Sequence, residues 1–187
     1  MRKKKLILSA IALFAMVGSV FSQKSLAYYS TVGKATNVVT SGNIKFVIHE
    51  TTDQGTPFPS EGVYVMPGDV VSKQVTIENI CDQPFYLRVK VVNGIDSDVL
   101  DADDCFKLNI NDEYWKYKDG WFYYQGIVDP NEMTPYVFSE VEIIGDKVDN
   151  DYIGKTLSLS VVAHAVQSVH NPITDNDISS AKGWPKE

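Results

Sequence analysis

The stretch Thr156–Gln167, TLSLSVVAHAVQ, decides the fold class, because apolar or small residues occupy every second position over most of its length. Alternate side chains of a β-strand point to opposite faces of the sheet, so this period of two predicts a strand with one buried face. The residues on that face are Leu157, Leu159, Val161, Ala163 and Ala165. Antiparallel sheets commonly have such a packed face and a second face in contact with water.

The same period recurs along the chain and predicts an all-β protein. It is found in IKFVIHE (44–50), KQVTIEN (73–79), PFYLRVKVV (84–92) and CFKLNI (105–110). Turn-forming pairs such as Asn93-Gly94 and Gly145-Asp146 separate these segments. We therefore predict an antiparallel β-sandwich of the jelly-roll type over residues 43–170, with a C-terminal tail over residues 171–187.

The segment EYWKYKDGWFYYQG (113–126) predicts a β-hairpin with Asp119-Gly120 as its two-residue turn. In that register Trp121 lies opposite Lys118, and two sets of aromatic side chains face opposite ways. Because a single core buries only one face, we interpret one set as core. That set consists of Trp115, Tyr117, Phe122 and Tyr124. In the alternative interpretation, Trp121 and Tyr123 form a contact surface for a partner subunit or a glycan.

The N-terminus predicts an export signal. Four basic residues, Arg2 to Lys5, precede an apolar run from Leu6 to Phe21. As a helix this run is roughly 24 Å long, which is short for a bilayer core of about 30 Å. Small residues at Ser25 and Ala27 then predict cleavage between Ala27 and Tyr28, so residues 1–27 are a signal peptide. The alternative is an uncleaved N-terminal anchor. After cleavage we expect no stable membrane span and a secreted protein.

Charge argues against nucleic acid as a partner. The 187-residue chain has a formal net charge of −7. The five basic residues of the signal peptide are lost on cleavage and no acidic residue precedes Glu50, so the charge of the mature chain becomes −12. An acidic surface repels phosphate backbones and anionic lipids, and favours solubility or an assembly that cations promote.

The two cysteines, Cys81 and Cys105, predict a disulfide, since exported proteins usually oxidise such a pair. The alternative is two thiols in a reducing or anaerobic niche. A metal site built from two distant cysteines is disfavoured.

The sequence indicates neither catalysis nor a cofactor. The segment HETTD (49–53) has Asp53 where a zinc protease of the H-E-x-x-H kind needs its second histidine, and it continues a strand rather than a helix. One acidic loop is the candidate ion site, because calcium prefers carboxylate ligands. Its candidate ligands are Asp96, Asp98, Asp101 and Asp103. The alternative is a solvated acidic loop without a bound ion.

The tract over residues 28–42 is rich in β-branched and small residues, which favour an extended strand. It has no strand partner nearby in the sequence. Such a strand at a new N-terminus could pair with the sheet edge of another copy of the chain. Its candidate groove-filling side chains are Val32, Val38 and Val39.

Four segments carry short motifs in a particular order. After the cleavage region, Thr40, Gly42 and Ile44 form a T-x-G-x-(I/L) strand start. The turn Pro67-Gly68-Asp69 leads to Asn79 and then to a (Y/F)-x-R-V strand, formed by Tyr86, Arg88 and Val89. An aromatic strand and a proline-containing turn follow over residues 120–143. The last segment is A-x-A-V-Q followed by A-x-x-W, with Ala163, Ala165, Val166, Gln167, Ala181 and Trp184.

Together these segments resemble the TasA/camelysin family of exported Gram-positive proteins, which a SipW-type signal peptidase processes. The resemblance covers nearly the whole chain. It implies a jelly-roll subunit of extracellular fibres, often in biofilm matrix, in which the N-terminal tract of one subunit completes the sheet of the next. Some camelysin-like members carry a metallopeptidase label, so a secreted peptidase is one alternative, and a monomeric surface adhesin is another.

Overall fold

The computed structural model describes residues 27–29, 36–38, 44–60, 62–97, 100–102, 105–146, 150–152 and 154–185. The protein is predominantly β, with mainly antiparallel sheets, so the predicted all-β class is confirmed. Residues 1–26, which hold most of the predicted signal peptide, lie outside the described residues. Among the residues that are described, no helix is long and apolar enough to cross a membrane.

We number the strands β1 to β12 in chain order. They are β1 (Ala27–Tyr29), β2 (Thr36–Val38), β3 (Phe46–Thr51), β4 (Val63–Val65), β5 (Val70–Ser72), β6 (Gln74–Asn79), β7 (Phe85–Ile95), β8 (Phe106–Leu108), β9 (Trp115–Lys118), β10 (Trp121–Tyr124), β11 (Glu140–Ile143) and β12 (Thr156–Gln167). Short 3-10 helices occur at Asn150–Tyr152 and Ile178–Ser180.

The largest sheet is built around β12. Its strand order is β4-β1-β12-β7-β10-β9, and β2 also pairs with β12. The strands β12 and β7 are antiparallel along most of their length, from Leu157 opposite Ile95 to Gln167 opposite Phe85. The other edge of β12 pairs in parallel with β1 and β2. The segment that decided the fold class from sequence therefore lies inside the main sheet.

The remaining strands form two smaller sheets. Their strand orders are β5-β11-β8 and β3-β6. The segment before β11 connects to β6, because Val137 N–H donates to Val75 O at 2.8 Å and Thr134 N–H donates to Ile77 O at 2.9 Å. The strands β5 and β6 are also nearly continuous in sequence.

One apolar cluster combines residues from all three sheets. From the main sheet it receives the alternating residues of β7 and β12, and Leu157, Leu159, Ala163 and Ala165 are fully buried, as predicted. From the two smaller sheets it receives Phe46, Ile48, Val75, Ile77, Val141 and Ile143. Alternation in the sequence therefore identified the inward faces of β3, β6, β7 and β12 correctly.

The predicted hairpin and its register are confirmed. Trp121 pairs with Lys118 and Tyr124 pairs with Trp115. Asp119 and Gly120 both have positive φ, of 50° and 83°, which is the backbone of the two-residue turns that match strand twist. Trp115 is buried in the main cluster, whereas Tyr117, assigned to the same core set, is 67 % exposed because it lies near the hairpin tip.

The expectation that only one face of the main sheet is buried is wrong. The outer face carries a second apolar cluster of residues from β7, β10, β12 and the chain after residue 170. Its buried members are Tyr86, Trp121, Tyr123, Val166, Ile178 and Ala181, with Val162, Ile173 and Trp184 packed against it. The period of two in residues 84–92 predicts that Tyr86 and Arg88 face water, opposite the core residues Phe85 and Leu87. Both are buried here instead, because the segment predicted as a tail folds back over them.

Candidate functional site on strand β12

The N-terminal tract pairs with its own chain through β12. Tyr28 lies opposite Thr156 in β1, and Val38 lies opposite His164 in β2, both in parallel pairing. A parallel partner requires a long connection, which explains why no partner was visible nearby in the sequence. Of the three candidate donor-strand residues, Val38 lies in β2, while Val32 and Val39 lie outside the described residues. The predicted cleavage site between Ala27 and Tyr28 lies in β1.

Between the two pairing stretches, the edge of β12 meets a buried lysine. Lys73 is fully buried at the junction of β5 and β6, and its ammonium donates to Leu159 O at 3.4 Å. The Glu50 carboxylate is 2.9 Å from the same nitrogen, and the Phe58 ring centroid is 5.1 Å away. A buried charge requires such partners. Burial lowers the pKa of the Lys73 ammonium, and the nearby Glu50 charge offsets part of that shift.

Sequence reasoning missed Lys73, although a signal was present. It has the same parity as Val75 and Ile77, which both point into the core. In a regular strand, residues two apart share a face, so a lysine at this position is predicted to point inward.

The outer face of β12 is organised by Arg88 of β7. Its guanidinium carbon is 4.0 Å from the Trp121 ring centroid and 4.9 Å from that of Trp184. One terminal nitrogen donates to Pro185 O at 2.8 Å and lies 3.1 Å from His164 Nδ1. Stacking between two indole rings stabilises the buried cation. The arginine thereby connects β7, β10 and β12 to the C-terminal segment.

Polar contacts at two further points fasten the C-terminal segment. Asn171 Nδ2 donates to Lys182 O, and Lys182 N–H donates to Asn171 Oδ1, both at 2.9 Å. Lys118 Nζ donates to Asp177 Oδ2 at 2.7 Å. Lys118 and then Ser179 donate to the Asp177 carboxylate and lower its pKa to about 2, while the same contact raises the pKa of Lys118.

The structure brings together two motifs that are far apart in the sequence. The strand motif with Tyr86 and Arg88 packs against the closing motif with Ala181 and Trp184. Both motifs contributed to the family resemblance, and their side chains meet on the outer face of the main sheet. Sequence spacing could not have predicted this contact, because it depends on where the C-terminal segment folds back.

The predicted contact surface at Trp121 and Tyr123 is corrected. The two side chains are only 5 % and 6 % exposed, because the C-terminal segment covers them. Trp121 also stacks on His164, with ring centroids 4.4 Å apart, and Tyr123 meets Trp184 edge to face. These aromatic residues are therefore part of the second cluster and do not present a flat surface to a glycan.

The predicted disulfide between Cys81 and Cys105 is also corrected, because both residues are thiols in this structure. Each thiol makes contacts within its own loop. Cys81 Sγ donates to Asn79 Oδ1 at 3.0 Å, in the turn after β6, and Cys105 Sγ donates to Asp101 O at 3.3 Å, before β8. Cys105 is buried in the main core, whereas Cys81 is partly exposed.

The candidate calcium ligands are only partly described. Asp98 and Asp103 lie outside the described residues. Asp96 Oδ1 accepts a hydrogen bond from Thr156 N–H, and the main-chain carbonyl of Asp101 accepts one from the Tyr152 hydroxyl at 3.0 Å. In the part of the chain that the structure describes, no group of three or more His, Cys, Asp or Glu side chains could hold a metal ion. His49, from the HETTD segment, instead contacts Glu78 on the neighbouring strand: His49 Nε2 of β3 lies 2.7 Å from Glu78 Oε2 of β6.

A comparison of the chain with protein-family models, with curated proteins and with solved structures found no match. The site is described here by its geometry alone. It is a parallel strand-pairing site on one edge of β12, filled by the N-terminal tract of the same chain. A buried lysine contacts β12 between the two pairing stretches, and the C-terminal segment covers its outer face.

Proposed function

We propose that this chain is an exported structural subunit that assembles into extracellular fibres, in the biofilm matrix or on the cell surface. In this proposal it has a jelly-roll β-sandwich fold, and a SipW-type signal peptidase cleaves it between Ala27 and Tyr28. Neighbouring copies then exchange their N-terminal tracts as donor strands. The observation that carries the proposal is the pairing of β1 and β2 with β12, which makes the tract a replaceable part of the main sheet.

The tract is suited to exchange because its pairing is short. The strands β1 and β2 are three residues long each, and β1 also pairs with the three-residue strand β4, while β12 pairs with β7 from Leu157 to Gln167. Short strands contribute few hydrogen bonds, so their release costs much less free energy than unfolding the sheet. The same tract from a second copy would form the same bonds in the same register, which is the low-cost route of domain swapping.

Cleavage and charge would both regulate this exchange. Before cleavage, the tract is joined through residues 22–27 to the apolar run of residues 6–21, and cleavage gives it the free end that insertion into another copy requires. The mature charge of −12 makes neighbouring copies repel one another, so added salt or calcium should promote assembly by screening. Calcium would act here as a counterion rather than as a cofactor.

Negative-stain electron microscopy of two purified forms tests the proposal. The first form begins at Tyr28 and the second begins at Gly42, which removes β1 and β2. Each is incubated with and without calcium. We expect filaments from the longer form only. Filaments of the same kind from the form that begins at Gly42 would refute donor-strand exchange, and so would a longer form that stays monomeric under every condition.

A peptide competitor supplies a matched control. A synthetic peptide of residues 28–41 should stop filament growth when added in excess, because it would occupy the edge of β12. The same peptide with Asn37→Pro lacks a backbone N–H in the middle of β2 and restricts the backbone, so it should compete much less.

The proposed role is not enzymatic. The discriminating test against the camelysin-type peptidase alternative is cleavage of casein by purified protein, with and without a metal chelator, combined with a measurement of bound zinc. Chelator-sensitive cleavage together with stoichiometric zinc would replace the structural role by a catalytic one.

A further inference from the structure

One part of β12 carries two different contacts at once. The main-chain edge of Val162, Ala163 and His164 pairs with β2. On the outer face of the same stretch, His164 and Val166 are buried, and Val162 packs against the second cluster. The strand that receives β2 is thus supported from outside by the cluster that the C-terminal segment completes.

The C-terminal segment closes this cluster with a few specific contacts. Trp184 stacks on the Arg88 guanidinium, whose terminal nitrogens contact Pro185 O, His164 Nδ1 and the Tyr123 hydroxyl. Ile178 and Ala181, which belong to the same segment, are buried in this cluster. The two indole rings of Trp121 and Trp184 lie against the Arg88 guanidinium, and the Pro185 carbonyl accepts a hydrogen bond from it.

We propose that the segment Ile178–Pro185, called the C-terminal clasp below, holds β12 in place for β2 and thereby sets how readily β2 is released. Arg88 and Trp184 are its positioning residues. Support of β12 by the clasp follows from the contacts alone. The consequence for assembly, that the clasp controls donor-strand exchange, rests on the proposed function.

The chain contains an internal control for this proposal. The strand β1 pairs with β12 at Thr156 and Leu157, at the other end of the strand from the second cluster, and its other edge pairs with β4. From Leu157 to His164 the distance is about 23 Å, at roughly 3.3 Å per residue. Opening the clasp should therefore loosen β2 and leave β1 unchanged. General destabilisation of the fold would affect both strands.

Native-state amide hydrogen exchange on the full chain tests this selectivity. In Trp184→Ala we expect the amides of Thr36–Val38 to exchange roughly tenfold faster, because a cation–π contact and apolar burial are lost. The amides of Tyr28 and Tyr29 should stay within about twofold of the parent chain. Trp184→Phe, which keeps an aromatic ring on Arg88, should lie near the parent. Tyr117→Ala, which removes an exposed aromatic residue from the β9–β10 hairpin, should leave the exchange of both strands unchanged.

Core amides at Leu157–Val161 report in the same experiment whether the variant is folded. If Trp184→Ala does not fold, Arg88→Lys tests the same contact, because it keeps the charge and loses the planar fork. An unchanged β2, or equal acceleration of β1 and β2 in the folded variant, would overturn the proposal.

Assembly gives a second and separable result. Because release of β2 precedes exchange, Trp184→Ala should shorten the lag before filaments form. A parent chain that never forms filaments, but whose variant shows the selective exchange pattern, would reject the proposed function and retain the clasp. Filaments without the selective exchange pattern would retain the proposed function and reject the clasp.

Discussion

The Lys73 ammonium donates a hydrogen bond of 3.4 Å to the carbonyl oxygen of Leu159, in the stretch of β12 between the residues that pair with β1 and with β2. This contact connects the junction of β5 and β6 to the main sheet, because Leu159 belongs to β12. A polar residue with this position contacts the edge of β12 between the stretch that pairs with β1 and the stretch that pairs with β2.

Lys73→Met should destabilise the protein by about 2 to 3 kcal/mol, because it leaves the half-buried Glu50 carboxylate without its partner. Urea unfolding measures the change. The double variant Lys73→Met, Glu50→Gln should recover part of the loss, since it removes the unpaired charge as well. Equal stability of the parent and Lys73→Met would mean that the buried pair makes no net contribution.

The difference in stability between the parent chain and Lys73→Met should depend on pH. The pKa of Lys73 is lowered in the folded chain, chiefly by burial, so the unfolded chain binds this proton more tightly. The free-energy cost of burying a protonated Lys73 is therefore present at neutral pH. It is relieved as pH rises toward 10.5, the ordinary pKa of a lysine side chain. The stability of the parent chain relative to Lys73→Met should increase over that window. A difference that stays constant up to pH 10.5 would contradict the assigned cause.

Asp177 should titrate well below an ordinary carboxyl. Its pKa is lowered to about 2 by hydrogen bonds from Lys118 and Ser179. The contribution of this contact to the stability of the folded chain is fully present above the ordinary carboxyl pKa of 3.8, and it is lost as pH falls through about 2. A carboxyl titration by NMR should give a midpoint near the lower value, and Lys118→Met should move it toward 3.8. Similar midpoints in both proteins would remove Lys118 as the cause.

Gly120→Ala should cost about 1 kcal/mol, since Gly120 has φ +83° and an added Cβ would meet nothing within 4 Å. The cost is therefore conformational and not steric. Thermal unfolding measures it. The neighbouring Asp119→Asn is the control, because asparagine also tolerates positive φ and should change stability little. Equal melting temperatures for Gly120→Ala and the parent would contradict the assigned turn.

Trp121→Ala should behave as a core truncation and cost about 3 to 5 kcal/mol, because the indole is buried against Arg88 and His164. Tyr117→Ala, an exposed residue of the same hairpin, should stay within about 0.5 kcal/mol of the parent. Chemical unfolding of the two variants makes the comparison. Specific glycan binding by the parent that disappears in a fully stable Trp121→Ala would restore the adhesin interpretation.

The two thiols should react at different rates. Cys81 is partly exposed and Cys105 is buried, so a thiol reagent should modify one cysteine in the native chain and the second only after unfolding. Intact mass under non-reducing conditions provides the control. A mass lower by two hydrogens, with no reactive thiol, would show that the disulfide forms after all.

Local patterns were sufficient to predict the individual strands of this protein. Alternation in β6, β7 and β12 identified their inward residues, because side chains two apart share one face of a strand regardless of what the strand pairs with. The turn at Asp119-Gly120 likewise determined the hairpin register, since two-residue turns permit few backbone conformations. These features depend on neighbours a few residues away.

Only the tertiary structure decided what each strand meets. Alternation gives two faces, but it does not say that the segment after residue 170 folds back and buries the second face at Arg88 and Trp121. Composition predicted a strand-prone N-terminal tract, yet its parallel partner β12 lies more than a hundred residues further along the chain. Long-range pairing follows from how the whole chain closes its sheets and covers its apolar surface, and no local period in the sequence records that choice.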